Sequence, residues 1–230
     1  MSSDTIAAGR ATPQTYANDV SATNYAIAQN IGRMQTATIV RVEKCTRAGE
    51  VADVGFVDVT PMVSQMDAFA REVPHAVIHN LPYVRVQGGK NAVIIDPQPG
   101  DLGIAVFASR DISRVKTDKK PAPPASWRSY NWADGMYIGG LLNGVPEQYV
   151  RFHGAGIEIL SPKNVTLDAP RVDIKCQTLN IAASSAVNID TPSVVISGRL
   201  DVGGDVTGEG VSLPHHVHPC GSGTTGAPAK

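Results

Sequence analysis

The sequence predicts an all-β protein: an N-terminal OB-like barrel, then an intertwined trimeric β-helix, then a metal-bound apex. Three observations predict it. Five short segments rich in Val and Ile and punctuated by Gly and Pro occupy the first half. Between Gly156 and Val206 a pair of apolar residues with one residue between them returns roughly every seven to eight positions. A closing His216-Val-His218 supplies two potential metal ligands on one side of an extended segment. The resulting divisions are an arm or short helix at 1–33, the barrel at 34–115, a junction at 116–155, the β-helix at 156–210 and the apex at 211–230.

The arm is small and polar, and helical spacing appears only from Tyr16 to Ile31, through Val20, Tyr25, Ile27 and Ile31. Barrel strands are expected at Thr36–Val42, Val51–Val59 with Gly55 as a bulge, Val84–Val86, Ala92–Ile95 and Gly103–Phe107. Five short strands in about eighty residues suit a barrel of the OB type, which leaves few strand edges open. No row of aromatics alternates with basic residues, so binding of nucleic acid is not expected. His75 and His79 are four apart, as helical zinc ligands would be. Pro74 and Pro82 bracket them and no Glu follows His75, which favours solvated imidazoles on a loop or strand.

In the junction, Arg110, Arg114, Lys116, Lys119 and Lys120 lead into Pro121-Ala-Pro-Pro124 and read as a solvated, extended linker. Trp127 and Trp132 lie just beyond and read as packing anchors between the barrel and the β-helix.

The repeating pairs are Ile157/Ile159, Val165/Leu167, Val172/Ile174, Leu179/Ile181, Val187/Ile189, Val194/Ile196 and Leu200/Val202. Each pair puts two side chains on one face of a strand, and turn formers such as Ala169-Pro170, Thr191-Pro192 and Gly203-Gly204 separate them. A single-chain coil needs about three strands per turn, so these repeats would make little more than two coils, fewer than a solenoid needs. Three chains around one axis use the same residues as some seven or eight triangular layers, a rod of about 35–40 Å at about 4.8 Å per layer. Folding and trimerisation are then one event. Cys176 continues the Val172/Ile174 row as a small core residue, and Cys45, Cys176 and Cys220 are too scattered for a disulfide framework.

Two histidines cannot close a metal site alone, but three copies of His216 and His218 offer six imidazole nitrogens. Six nitrogens match an octahedral ion such as Fe(II), Ni(II) or Co(II) rather than tetrahedral Zn(II). With no open position such an ion is a structural clamp. His215 faces the other way, and Cys220 has no required role.

Composition narrows the classes further. The chain has 230 residues, 42% hydrophobic content and a formal net charge of −1, which gives no bulk attraction to polyanions. Met1-Ser-Ser-Asp-Thr5 lacks the basic start and apolar core of a secretory signal, so synthesis as a soluble cytosolic protein is expected. Acidic residues are scattered and no nucleophile–base set is evident, so no enzymatic activity is expected.

The order of arm, barrel, triple-stranded β-helix and HxH followed by a Gly/Thr-rich end resembles the central spike proteins of contractile-tailed bacteriophages. The barrel segments Asn80-Leu-Pro-Tyr83, Gly88-Gly89, Pro97-Gln-Pro-Gly-Asp-Leu-Gly103 and Ser109-Arg-Asp-Ile-Ser113 look like that family's N-terminal OB domain, and the end is His216-Val-His-Pro-Cys-Gly-Ser-Gly-Thr-Thr-Gly226. The resemblance implies a homotrimer at the tip of the contractile tail of a virion, made in the host cytoplasm. Its barrel would meet the tail tube and baseplate hub, and its shaft would cross the host outer membrane during sheath contraction. One iron ion (Fe) per trimer would sit on His216 and His218 of three chains. Spikes of type VI secretion and contractile bacteriocins share this plan; a trimeric receptor-binding tail fibre is the alternative, though about twenty residues after the last repeat leave little material for a recognition head.

Overall fold

Alternation of inward apolar and outward polar residues makes one β core in the first half of the chain. The computed structural model describes residues 11, 13–47, 49, 51–67 and 69–226, and the chain divides at Val165/Thr166 into two units. Most of the expected arm before Pro13 lies outside the described residues, as do the last four residues of the apex. From Pro13 to Tyr16 the chain makes a 3-10 turn and then helix α1 (Asp19–Arg33). Asn18 caps this helix by accepting the Ser21 N–H at 2.9 Å. Val20, Ile27 and Ile31 are exposed on it. Among the described residues no helix is long and apolar enough to cross a membrane.

The first unit then runs through β1 (Ala37–Cys45), β2 (Phe56–Pro61), β3 (Gln65–Met66), β4 (Glu72–Val73), β5 (Ile78–Pro82), β6 (Val86–Gly88), β7 (Asn91–Val93) and β8 (Leu102–Phe107). After helix α2 (Ser113–Asp118) come β9 (Gly135–Gly139), β10 (Tyr149–His153) and β11 (Gly156–Leu160). Five of these strands form an antiparallel sheet in the order β5-β2-β1-β8-β9. A parallel bridge between Tyr83 and Tyr137, with the Val84 N–H donating to the Tyr137 carbonyl at 3.0 Å, joins the two outer strands at one end. Val40, Val42, Val57, Val59, Leu81, Ala105 and Tyr137 form the core of this sheet.

Several expectations are corrected here. The second strand starts at Phe56, and register shifts lie between Val42 and Lys44 where β1 meets β2 and between Val57 and Val59 where β2 meets β5. Gly55 instead marks a close approach: a Cβ there would lie 2.6 Å from the Thr46 hydroxyl oxygen. The segments around Val84–Val86 and Ala92–Ile95 do not join the sheet; their part is a separate hairpin, β6–β7, with Val86 and Ile95 exposed. Their places are taken by β5 and β9. The basic run is not extended throughout, because Ser113–Asp118 is helical and Lys116 Nζ donates to the carbonyls of Ala133 (3.1 Å) and Asn80 (3.4 Å). Neither tryptophan is seen against the repeats: Trp132 meets Phe107 edge-on at 5.0 Å at the core of the first unit, and Trp127 is fully exposed.

Tyr137 sets the spacing of β8 and β9. Its ring lies over Gly103, where a Cβ would stand 2.6 Å from the ring and from the Ile138 carbonyl oxygen. Its hydroxyl has no hydrogen-bond partner among the described residues, and burial pushes its pKa up to about 12. Packing therefore holds this side chain. Gly103→Ala should destabilise the first unit by about 2 kcal/mol, the usual scale of overpacking where backbone must move. A urea midpoint equal to that of the parent chain, read from Trp132 fluorescence, would contradict this.

Residues 166–206 of the second unit contain no helix or strand, and every side chain there is exposed. Two short hairpins follow, β12 (Thr207–Gly208) with β13 (Val211–Ser212) and β14 (Pro219–Cys220) with β15 (Gly223–Thr224).

Candidate metal centre

The two C-terminal hairpins hold the two histidines of the HxH segment. Glu209 and Gly210 both have positive φ (50° and 82°), as a two-residue hairpin turn requires, and they close β12 on β13. Leu213 N–H extends the pairing to the Val206 carbonyl at 2.8 Å. The chain then turns back on itself: the Ser212 carbonyl accepts the His216 N–H at 3.0 Å and the His215 N–H at 3.4 Å.

His216 is half-buried in this turn. Its Nδ1 lies 2.7 Å from the Leu213 carbonyl oxygen. A carbonyl can only accept, so Nδ1 carries a proton, and in the neutral ring the lone pair is then on Nε2. His218 is exposed and sits at the mouth of β14–β15, where its N–H donates to Thr225 Oγ1 at 2.9 Å and its carbonyl accepts the Thr225 N–H at 2.8 Å. The two rings stand 5.0 Å apart, centroid to centroid, with planes at 89°. Imidazoles on adjacent vertices of an octahedral ion, with bonds of about 2.1 Å, have centroids about 4.6 Å apart, against about 6.5 Å on opposite vertices. The observed spacing is too short for opposite vertices and lies between the octahedral-adjacent value and the about 5.3 Å of two imidazoles on a tetrahedral ion. Within one chain no three His, Cys, Asp or Glu side chains among the described residues come together to hold an ion.

His215 does not point at this pair. The Ser212 hydroxyl donates its one proton to Asp205 Oδ1 at 3.0 Å, so the 2.9 Å contact between Ser212 Oγ and His215 Nδ1 is a bond from the imidazole. The serine sits in the middle of this chain with its proton committed to the carboxylate, the reverse of the order a nucleophilic serine needs. Cys220 is exposed on β14. Ser212, Asp205 and Thr225 had no visible role in the sequence; the signal available was a Gly221-Ser-Gly223 turn, which pairs the residues flanking it and so brings Thr225 back to His218.

Two clusters in the first unit also escaped the sequence. At the base of β6–β7, the buried Asp96 accepts from Arg85 Nη2 (2.7 Å), the Tyr83 hydroxyl (2.9 Å) and the Gly49 N–H (3.0 Å). Burial works against the charge on Asp96, but these bonds together hold its pKa below the ordinary carboxylate value. Around α2, Arg128 grips Asp134 with Nε and Nη2 (2.6 and 2.8 Å) and reaches Asp111 at 2.8 Å. The Ser113 and Ser126 hydroxyls and the Ser113 N–H hold the Asp111 carboxyl far below its usual range. Both groups of carboxylates are ionised and fully bonded, which makes them clamps on loops. His79 lies on β5, exposed, with Nδ1 3.0 Å from Asp58, while the half-buried His75 packs against Trp132 at 5.1 Å. Among the described residues neither joins a group of three metal-ligating side chains. No protein-family model and no curated protein matches this chain.

Proposed function

We propose that this protein is the central spike of a contractile, phage-tail-like particle: a homotrimer that caps the tail tube at the baseplate hub and is driven through the target's outer membrane when the sheath contracts. The observation that carries the reading is the apolar ladder. All fourteen residues of the seven pairs, Ile157 to Val202, are 48–76% exposed in one chain. Apolar residues left exposed at this regular spacing point to an interface, and 166–206, which lack any internal strand pairing, have backbone groups open to pairing with other strands. Two further copies of the same stretch supply both. The five-stranded sheet with its Tyr83–Tyr137 bridge supports the OB-type barrel as the part that meets the tube.

The mechanism is mechanical. A rod whose strands pair across three chains cannot lose one chain without breaking every layer, so it resists bending and unravelling under axial load. Its weak point is the end, where strand pairing stops. His216 and His218 of three chains would hold one ion, iron by the resemblance to phage spikes, and an ion with six nitrogen ligands supplies a cross-link there without an open position for chemistry.

Light scattering and elemental analysis on one purified fraction test the reading: three chains with one iron are expected, and a monomer would remove its basis. Gold labelling of intact particles should then mark the tail tip. Replacing His216 and His218 together with Ala should remove the metal and fray the end while leaving three chains in the rod. Loss of the trimer in that variant would show instead that the metal is needed for assembly.

A further inference from the structure

We infer that Thr225 is a positioning residue for the metal centre, its hydroxyl locking the backbone of His218 so that this imidazole stands beside that of His216; the inference rests on the proposed metal clamp. The two ligands are held by different hairpins. His216 is fixed from its N-terminal side, through the Ser212 carbonyl on its N–H and the Leu213 carbonyl on its Nδ1. His218 has no such support. Only Val217 separates it from His216, its side chain is exposed, and the chain beyond carries Gly221, Gly223 and Gly226, which leave the backbone much freedom. It is restrained by Thr225, with one bond to each backbone group of His218: Oγ1 from the N–H at 2.9 Å and N–H to the carbonyl at 2.8 Å.

These two bonds differ in what they require. The bond from the Thr225 N–H survives any substitution except proline. The bond to Oγ1 needs a hydroxyl and fixes φ of His218, and with it the direction in which the ring leaves the chain. Free to rotate, three His218 rings would have to be ordered by the ion itself, at a cost in affinity. Partners that orient a ligand typically matter about 10–100-fold in metal affinity.

Thr225→Val keeps the shape and removes only the hydroxyl, and Thr225→Ser restores it. Nickel(II) would be titrated into the full-length protein, first stripped of bound metal, against a competing chelator, with light scattering on the same samples. T225V should bind about 10–100-fold more weakly than the parent chain while remaining three chains, and T225S should recover the parent affinity. Parent-like binding by T225V would overturn the role of Thr225 and leave the clamp intact. Weak binding by T225S as well as T225V would overturn the hydroxyl's part in it. A T225V protein no longer trimeric would make Thr225 an assembly residue, against the inference, and a parent chain that binds no nickel would overturn both the inference and the clamp.

Discussion

Ile181→Asp should reduce the protein from three chains to one. Ile181 and its pair mate Leu179 are 69% and 58% exposed in the single chain, and in the proposed rod they face the common axis in the middle of the ladder. Each buried isoleucine contributes roughly 1.5–3 kcal/mol, so three lost together remove about 5–9 kcal/mol per trimer. Three carboxylates would also converge at the axis without cations beside them, and both burial and mutual repulsion oppose their charge. Because trimerisation and strand formation are coupled in the proposed rod, its β signal should fall with the mass. Val195→Asp is the matched control. Val195 lies between the members of the pair Val194/Ile196 and is 88% exposed, so in an extended strand its side chain takes the opposite, outward face. Light scattering should give three chains for V195D and one for I181D. Equal masses for the two would mean that the apolar stripe is not the interface.

The contrast between paired and spacer residues explains why the proposed rod is legible in sequence. Its signal is local: two apolar residues, a spacer and a turn, repeated with the same phase. The five-stranded sheet is less legible because two of its strands carry breakers. β5 contains Asn80 at φ 60° and ends at Pro82, and β9 is the Gly-flanked Gly135-Met-Tyr-Ile-Gly139, so both look like connecting chain. They are strands because Leu81 and Tyr137 complete the core from opposite sides. Conversely, Val86, Val93 and Ile95 look like strand residues of the core yet are exposed; their hairpin is fixed by the Arg85–Asp96 pair at its base, a contact between residues eleven apart. The same limit applies at the C-terminal end. His216 and His218 stand out as a pattern, whereas Ser212 and Thr225 act through turns and are two of many polar residues in a polar tail.

Arg128→Ala should destabilise the first unit by about 3 kcal/mol at neutral pH, because it leaves the carboxylate of Asp134 buried without its cation. Asp134 is fully buried, and the lower end of the usual range applies because Arg128 itself is one-third exposed. The loss should fall on the loop first: Arg128 joins Asp111, Ser113 and Asp134, so α2 and the approach to β9 come free together. The pH dependence separates this charge effect from simple loss of packing. In the parent chain burial pushes the Asp134 pKa up, but the Arg128 bonds and the Ile112 N–H outweigh it and hold the pKa below its ordinary value. A carboxyl depressed in the folded state contributes stability that is complete above the unfolded pKa of about 3.9 and drains away as pH falls through the folded value. Without Arg128 the burial effect stands nearly alone, and the carboxyl is more readily protonated in the folded protein than in the unfolded chain. Acid then relieves the variant while it weakens the parent. Urea unfolding followed by Trp132 fluorescence should therefore show the widest gap between R128A and the parent near pH 7, narrowing first as pH falls through the raised Asp134 value of the variant and further below about 4, where the parent loses its own contribution. A gap of the same size at both pH values would mean that Arg128 supports this corner by packing alone and that the Asp134 charge contributes nothing to it.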